Sequence, residues 1–347
     1  MKAENSVLIK NIYYMLAYVY KALRRDGFEK VAAESFDNIH DLFAAILIKG
    51  IEYQIKQGLT KEYVKSCRLQ KTLRGKIDIA GTVGQMTKRS KQLSCVYGVL
   101  TEDNLFNRIL KSAVILLLNH GEVKHENKIA LKKLLPLLSN VCDIKPLEIN
   151  WSLLSYRKGN ASYQMLIYLC RLLFEGMIIS HDGRVKLAKF LDGQHLCDLY
   201  ETFVRAYYER HYPQLNPRAA YVAWALDDKQ DMFLPGMYTD TMLESSDKVL
   251  IIDTKCYRRI LTQQYDKKSV CSANLYQIYA YVKNKTAVTD KGVSGMLLYA
   301  KTDEDITPNV VYSMGGNKIF VRTLNLNCEF EKIKEQLDKI VAENFTA

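Results

Sequence analysis

The chain has 347 residues, 48% of them apolar and 25% charged, with a formal net charge of +11. That balance supports about two folded domains and excludes a disordered chain. The longest apolar runs, such as 113–118, fall far short of the ~20 residues of a membrane span, and the opening MKAENSVLIKNIYYML lacks a signal-peptide cleavage pattern, so a cytoplasmic protein with no membrane partner is expected.

In chain order, a helix is expected over 7–23 and a second over 39–57, the latter with Leu42, Ile46, Ile51 and Tyr53 among its apolar positions. Strand-like stretches follow at 62–67, 76–80 and 92–96, separated by turn-forming residues. Helices are expected at 103–119, 129–138 and 162–179, the last so apolar that it should be buried between layers. The rear half changes character. A helix over 196–212 leads into strands at 219–225, 233–243 and 248–254. A helix over 274–283, strands at 294–299, 309–313 and 318–323, and a charged helix at 329–342 complete the order. This predicts an α/β chain, α+β overall. A helix-rich N-terminal domain with a small β region covers 1–160, and a domain with a central mixed sheet flanked by helices covers 161–347. The boundary is placed loosely between 155 and 195.

The charge is unevenly spread. Residues 1–160 carry 26 Lys+Arg against 15 Asp+Glu, and residues 161–347 carry 23 of each. Within 56–91, ten basic side chains face only Glu62 and Asp78, and Lys71, Arg74 and Lys76 stand close together. Such a stretch is either a solvated surface or a face for phosphate backbone or an acidic protein. The eight cysteines form no CxxC pair and the six histidines no HExxH, so zinc is not expected, and most of the cysteines, Cys170 in LIYLCRLLF for example, read as reduced core residues.

The run 248–255, KVLIIDTK, is an apolar strand ending in Asp-x-Lys. Residues two apart on a strand share a face, so Asp253 and Lys255 converge on one side. The spacing alone fits a surface ion pair, and it recurs at Glu122/Lys124, Glu126/Lys128, Asp143/Lys145, Asp227/Lys229 and Asp266/Lys268. Only the pair at 253/255 follows a buried-strand pattern. Three further residue sets strengthen it. Asp240, on the preceding strand, lies one short turn away and can supply a second hard oxygen ligand for Mg²⁺. Asn274, Gln277 and Tyr281 share one helix face, with Leu275, Ile278, Tyr279 and Val282 on the other. Glu201 stands among apolar residues of the 196–212 helix, where a carboxylate is costly unless paired or near a metal.

Glu201, Asp240, Asp253-Thr254-Lys255 and Gln277-xxx-Tyr281 together resemble the PD-(D/E)xK nuclease superfamily, in its branch with a QxxxY helix. NIYYMLAYVY (11–20), LRGKIDI (73–79), EDNLFNRILKSA (102–113), KVLIIDTKCY (248–257) and NLYQIYAYV (274–282) resemble the McrC family, nuclease subunits of the McrBC modification-dependent restriction systems. One departure is Thr239, which stands where the superfamily has its namesake proline; that proline shapes backbone and is not a metal ligand.

The resemblance implies a Mg²⁺-dependent DNA endonuclease subunit, with Mn²⁺ as a substitute. Its partners would be an McrB-type AAA+ GTPase ring and double-stranded DNA with modified cytosine. Asp240, Asp253 and the Thr254 carbonyl would hold the metal, Lys255 the water, and Glu201 a second metal or a water. Gln277 and Tyr281 would orient the lysine or the DNA backbone. The front half would dock on the ring and stimulate its GTPase. GTP belongs to the partner, because this chain has no GxxxxGK[ST] loop: Gly75-Lys76 is followed by Ile77. A non-catalytic activator with a nuclease-like fold, or a stand-alone DNA-repair nuclease, are the alternatives.

Overall fold

The computed structural model describes residues 2–20, 36, 38–88, 91–157, 159–178, 194–228, 230–256, 261–264, 267–301 and 307–345. The chain forms two compact units, Met1–Leu42 with Ile179–Ala347, and Phe43–Ile178. The second unit ends at Ile178 and not at 160, so the helix expected over 162–179, grouped above with 161–347, belongs to the unit of the front half. The first helix, grouped above with 1–160, belongs instead to the unit of the rear half.

That grouping follows from the side chains of α1 (Lys2–Val19). Asn11 Nδ2 donates to the carbonyls of Leu326 and Cys328, at 2.7 and 2.8 Å. Tyr14 stacks on Phe330 with ring centroids 4.3 Å apart, and Tyr18 donates to or accepts from His211 Nε2 at 2.9 Å. The tyrosines of NIYYMLAYVY thus form a seam between α1 and two rear helices. Residues 21–23 of the expected helix lie outside the described residues.

In the Phe43–Ile178 unit, most of helix α2 (Ile39–Gln57) precedes strands β1 (Glu62–Gln70), β2 (Lys76–Ile77) and β3 (Leu93–Thr101), ordered β1-β3-β2 and antiparallel. The strand expected over 76–80 stops at Ile77, and 79–87 is a short helix, α3 (Ile79–Thr87). Asp78 causes the switch. Its amide donates to Ser94 O at 2.8 Å, its carboxylate accepts from Ser94 Oγ at 2.9 Å, and its carbonyl accepts the helix's first bond from Thr82 N. Gly81 fits because a Cβ there would lie 2.3 Å from Asp78 Oδ2. Helices α4 (Leu105–Asn119), α5 (His125–Leu134) and α6 (Gln164–Ile178) follow. Helix α5 starts and ends before the expected 129–138, with Pro136 opening a separate 3₁₀ turn.

The other unit centres on a six-stranded sheet ordered β10-β11-β9-β6-β5-β4. Its strands are β4 (Arg218–Val222), β5 (Met237–Glu244), β6 (Lys248–Lys255), β9 (Gly292–Ala300), β10 (Val310–Met314) and β11 (Asn317–Leu324). β6, β9 and β11 run parallel, and the remaining pairs are antiparallel, so the sheet is mixed as expected. Residues 249–254 of β6 are all buried, which explains their near-continuous apolar run. Helices α7 (Gln194–His211), α8 (Ser272–Ala287) and α9 (Phe330–Phe345) flank the sheet. A small hairpin of β7 (Leu261–Gln264) and β8 (Lys267–Val270) occupies a segment where no element was expected, because its short polar strands carry no alternating signal. Helix α8 approaches β9 closely at Gly295, where a Cβ would fall 2.6 Å from Val282 and 2.8 Å from Ile278.

Candidate active site

The site is built from two neighbouring strands and two helices. β5 and β6 pair from Glu244 opposite Val249 to Thr241 opposite Ile252, and just past the end of this ladder stand Asp240 on β5 and Asp253 on β6. Asp240 Oδ2 accepts from both the amide and the hydroxyl of Thr254, each at 2.6 Å. Asp253 and Lys255 share a face, and Lys255 Nζ lies 2.7 Å from Asp253 Oδ2. The same ammonium donates to Gln277 Oε1 at 3.0 Å, and Gln277 Nε2 donates to Tyr281 OH at 3.0 Å. One polar line therefore runs from a β6 carboxylate through the lysine to one turn of α8. Asn274, expected on the same face, turns inward and donates to Tyr299 OH at 3.0 Å.

Glu201 enters from α7. It is half-buried and lies 3.7 Å from Arg205 one turn on, while Arg205 Nη1 donates to the Asp240 carbonyl at 2.7 Å. Burial raises the Glu201 carboxyl above its ordinary range, and the Asp240 charge raises it further against the pull of Arg205. Asp253 is pushed up to about 6, first by burial and then by Asp240, with the Lys255 ammonium opposing both.

These groups suit a hard divalent cation. Asp253 Oδ2 is buried with the Lys255 ammonium 2.7 Å away as its charged neighbour, and a carboxylate oxygen has lone pairs enough to ligate a cation as well. The Asp240 carboxylate is near enough for its charge to act on Asp253, and the candidate donors are all oxygens, the donor set of Mg²⁺ and Mn²⁺ rather than of zinc. Thr239 also finds its place. Its Oγ1 accepts from Ala220 N at 3.1 Å and donates to Ala220 O at 3.3 Å, spanning the register shift between Arg218 and Ala220 at the β4–β5 edge.

Thus Asp240, Asp253, Lys255, Gln277 and Tyr281 come together, with Glu201 linked to them through Arg205. Lys71, Arg74 and Lys76 do not join them. They are exposed in the Phe43–Ile178 unit, where the Arg74 guanidinium lies over the Tyr97 ring, 4.4 Å from its centroid. Of the competing acid-x-lysine pairs, Lys229 and Asp266 lie outside the described residues. Sequence reasoning missed Arg205 and the Thr254 hydroxyl. The signals were available: Arg205 is four residues after Glu201 on one helix, and Thr254 lies between the two strand residues already singled out.

The family model for the McrBC 5-methylcytosine restriction system component matches residues 2–300. The chain belongs to this McrBC family. A curated relative, the type IV methyl-directed restriction enzyme EcoKMcrBC of Escherichia coli K12, is 25% identical over 340 residues, covering 96% of this chain and 97% of its own length. Among solved structures, the chain's fold matches one from the refined half-complex of the tetradecameric assembly of Thermococcus gammatolerans McrB AAA+ hexamers with bound McrC. The TM-score is 0.51 at 15% identity, covering 96% of this chain and 75% of that one. The family match runs through both units and so includes the front-half phrases as well as the segments that carry the site residues. No helix among the described residues is long and apolar enough to cross a membrane.

Proposed function

We propose that this chain is the DNA-cleaving subunit of its McrBC system, a Mg²⁺-dependent PD-(D/E)xK endonuclease. The observation that carries the reading is the unbroken line Asp253–Lys255–Gln277–Tyr281 beside Asp240. Asp240, Asp253 and the Thr254 carbonyl would hold the cation. Bound there, it supplies charge stabilisation for a scissile phosphate and a lowered pKa for water. Lys255 positions the attacking water, and Gln277, itself fixed by Tyr281, keeps the ammonium beside Asp253. Glu201 adds a third carboxylate on the helix side for a water or a second ion. The buried β6 strand keeps these groups on rigid backbone.

The substrate in this reading is double-stranded DNA bearing modified cytosine, and the partner is an McrB-type AAA+ ring that hydrolyses GTP and is stimulated by this chain. The Thermococcus assembly, in which McrB hexamers carry bound McrC, supports that pairing. The test is cleavage of methylated and unmethylated plasmid by the chain with its GTPase partner, with and without GTP and Mg²⁺. Cutting should require the partner, GTP, Mg²⁺ and methylation together. Asp253→Ala and Lys255→Ala should each reduce it at least 100-fold with partner binding intact. Undiminished cutting by either variant would place the chemistry elsewhere, and partner stimulation without any cutting would favour the non-catalytic activator.

A further inference from the structure

Asp240 is held from three directions, more than a metal ligand on a regular strand needs. Thr254 contributes its amide and its hydroxyl to the same carboxylate oxygen, Oδ2, at 2.6 Å each. Arg205 reaches across from α7 and fixes the carbonyl of Asp240 itself at 2.7 Å. The other oxygen, Oδ1, has no hydrogen-bond partner among the described residues. Main chain and side chain are therefore both pinned, and one lone-pair-bearing oxygen is left uncommitted.

We infer that the Thr254 hydroxyl and Arg205 are positioning residues that orient Asp240 so that Oδ1 alone is presented to a divalent cation. This rests on the nuclease-site reading above. The physical reason is that a carboxylate with two equivalent oxygens and a free χ2 loses rotational freedom on binding a cation. Hydrogen bonds that fix the rotor beforehand remove that loss, and such outer-shell partners commonly govern 10–100-fold in metal affinity. Arg205 has a second effect. By pairing with Glu201 at 3.7 Å it draws that carboxylate to the Asp240 side of the sheet.

The test is Mn²⁺ binding to the metal-free full-length chain, measured by titration calorimetry without DNA or partner, with the melting temperature recorded for each variant. Wild type should bind, and Asp240→Asn should abolish binding. Thr254→Val keeps the side-chain shape but lacks the hydroxyl, and should weaken binding about 10-fold or more. Thr254→Ser should restore it to within about twofold. Arg205→Met should weaken it several-fold, without the loss of all binding expected of a ligand. If Thr254→Val fails to fold, Thr254→Ala compared with Thr254→Ser serves as the pair. Wild-type affinity in both folded hydroxyl-less and Arg205→Met proteins overturns the positioning role and leaves the metal site standing. A wild type that binds no Mn²⁺, or an Asp240→Asn that binds equally well, overturns both.

Discussion

Asp253 concentrates the conflict between stability and chemistry in one side chain. It is 1% exposed, and its carboxyl is raised to about 6 from an ordinary 3.8. A raised carboxyl means that the folded state holds the proton more tightly than the unfolded chain. The stabilisation from that proton is complete below about pH 4 and is lost as pH rises through 6. At about 1.4 kcal/mol per unit, the ionised group costs up to about 3 kcal/mol at pH 7.5 in the metal-free protein. Asp253→Asn should therefore be inactive yet more stable than wild type by about 1–3 kcal/mol in urea unfolding at pH 7.5. The advantage should shrink towards pH 4 and fall when Mg²⁺ is added to wild type. Equal stabilities across that pH range would show that the carboxylate is not strained in the fold.

At the scale of elements, α8 is placed by a missing side chain. Gly295 on β9 lets Ile278 and Val282 settle against the sheet, and the same helix carries Gln277 and Tyr281 to Lys255. Gly295→Val should cost about 1–3 kcal/mol through overpacking. Cleavage should fall further than stability does, because displacing α8 breaks the hold on the lysine; activity that merely tracks the folded fraction would contradict this. In the other unit, EDNLFNR serves structure. Asn107 is fully buried, donates to the carbonyls of Thr60 and Glu102 at 3.0 and 2.7 Å, and accepts from Tyr163 OH at 2.9 Å. Asn107→Ala should destabilise by about 2–3 kcal/mol, measured by thermal or urea unfolding, since it strands buried polar partners. The long periodic helices and the apolar β6 strand were legible in the sequence because burial repeats at their own spacing. So were Asp240, Asp253 and Lys255, since a charged pair ending a buried strand is conspicuous. The turn from β2 into α3 was not legible, because it depends on Ser94, sixteen residues beyond Asp78. Nor was the place of α1, whose tyrosines find partners more than 180 residues away.

For the whole molecule, the charge asymmetry now has a location. The basic residues Lys71, Arg74 and Lys76 are exposed, and so are the apolar Leu73, Ile77, Ile79, Val83 and Met86 of the same segment, with Leu73 60% and Ile79 74% accessible. Phosphate contacts need polar and basic groups alone, whereas a protein docking face has an apolar core, with Met and Arg among its enriched residues, inside a polar rim. Arg74 moreover lies over the Tyr97 ring, whose hydroxyl accepts from Gln70 Nε2 at 3.1 Å, so its guanidinium is presented on a ring that is itself held in place. We therefore expect this surface to engage the proposed GTPase partner. Reversing Lys71, Arg74 and Lys76 to Glu should reduce co-purification with the partner and stimulation of GTP turnover by at least tenfold. The salt dependence of DNA affinity should stay as in wild type. If the three residues instead touch phosphates, the log–log salt slope should flatten by roughly 0.9 for each lost contact on duplex DNA, with assembly unchanged. Wild-type assembly, GTP turnover and cleavage in the triple variant would reduce the basic cluster to solvated surface. A loss of GTPase stimulation with unaltered Mn²⁺ binding at the proposed nuclease site would localise the defect to docking, because these residues and the carboxylates lie in different compact units.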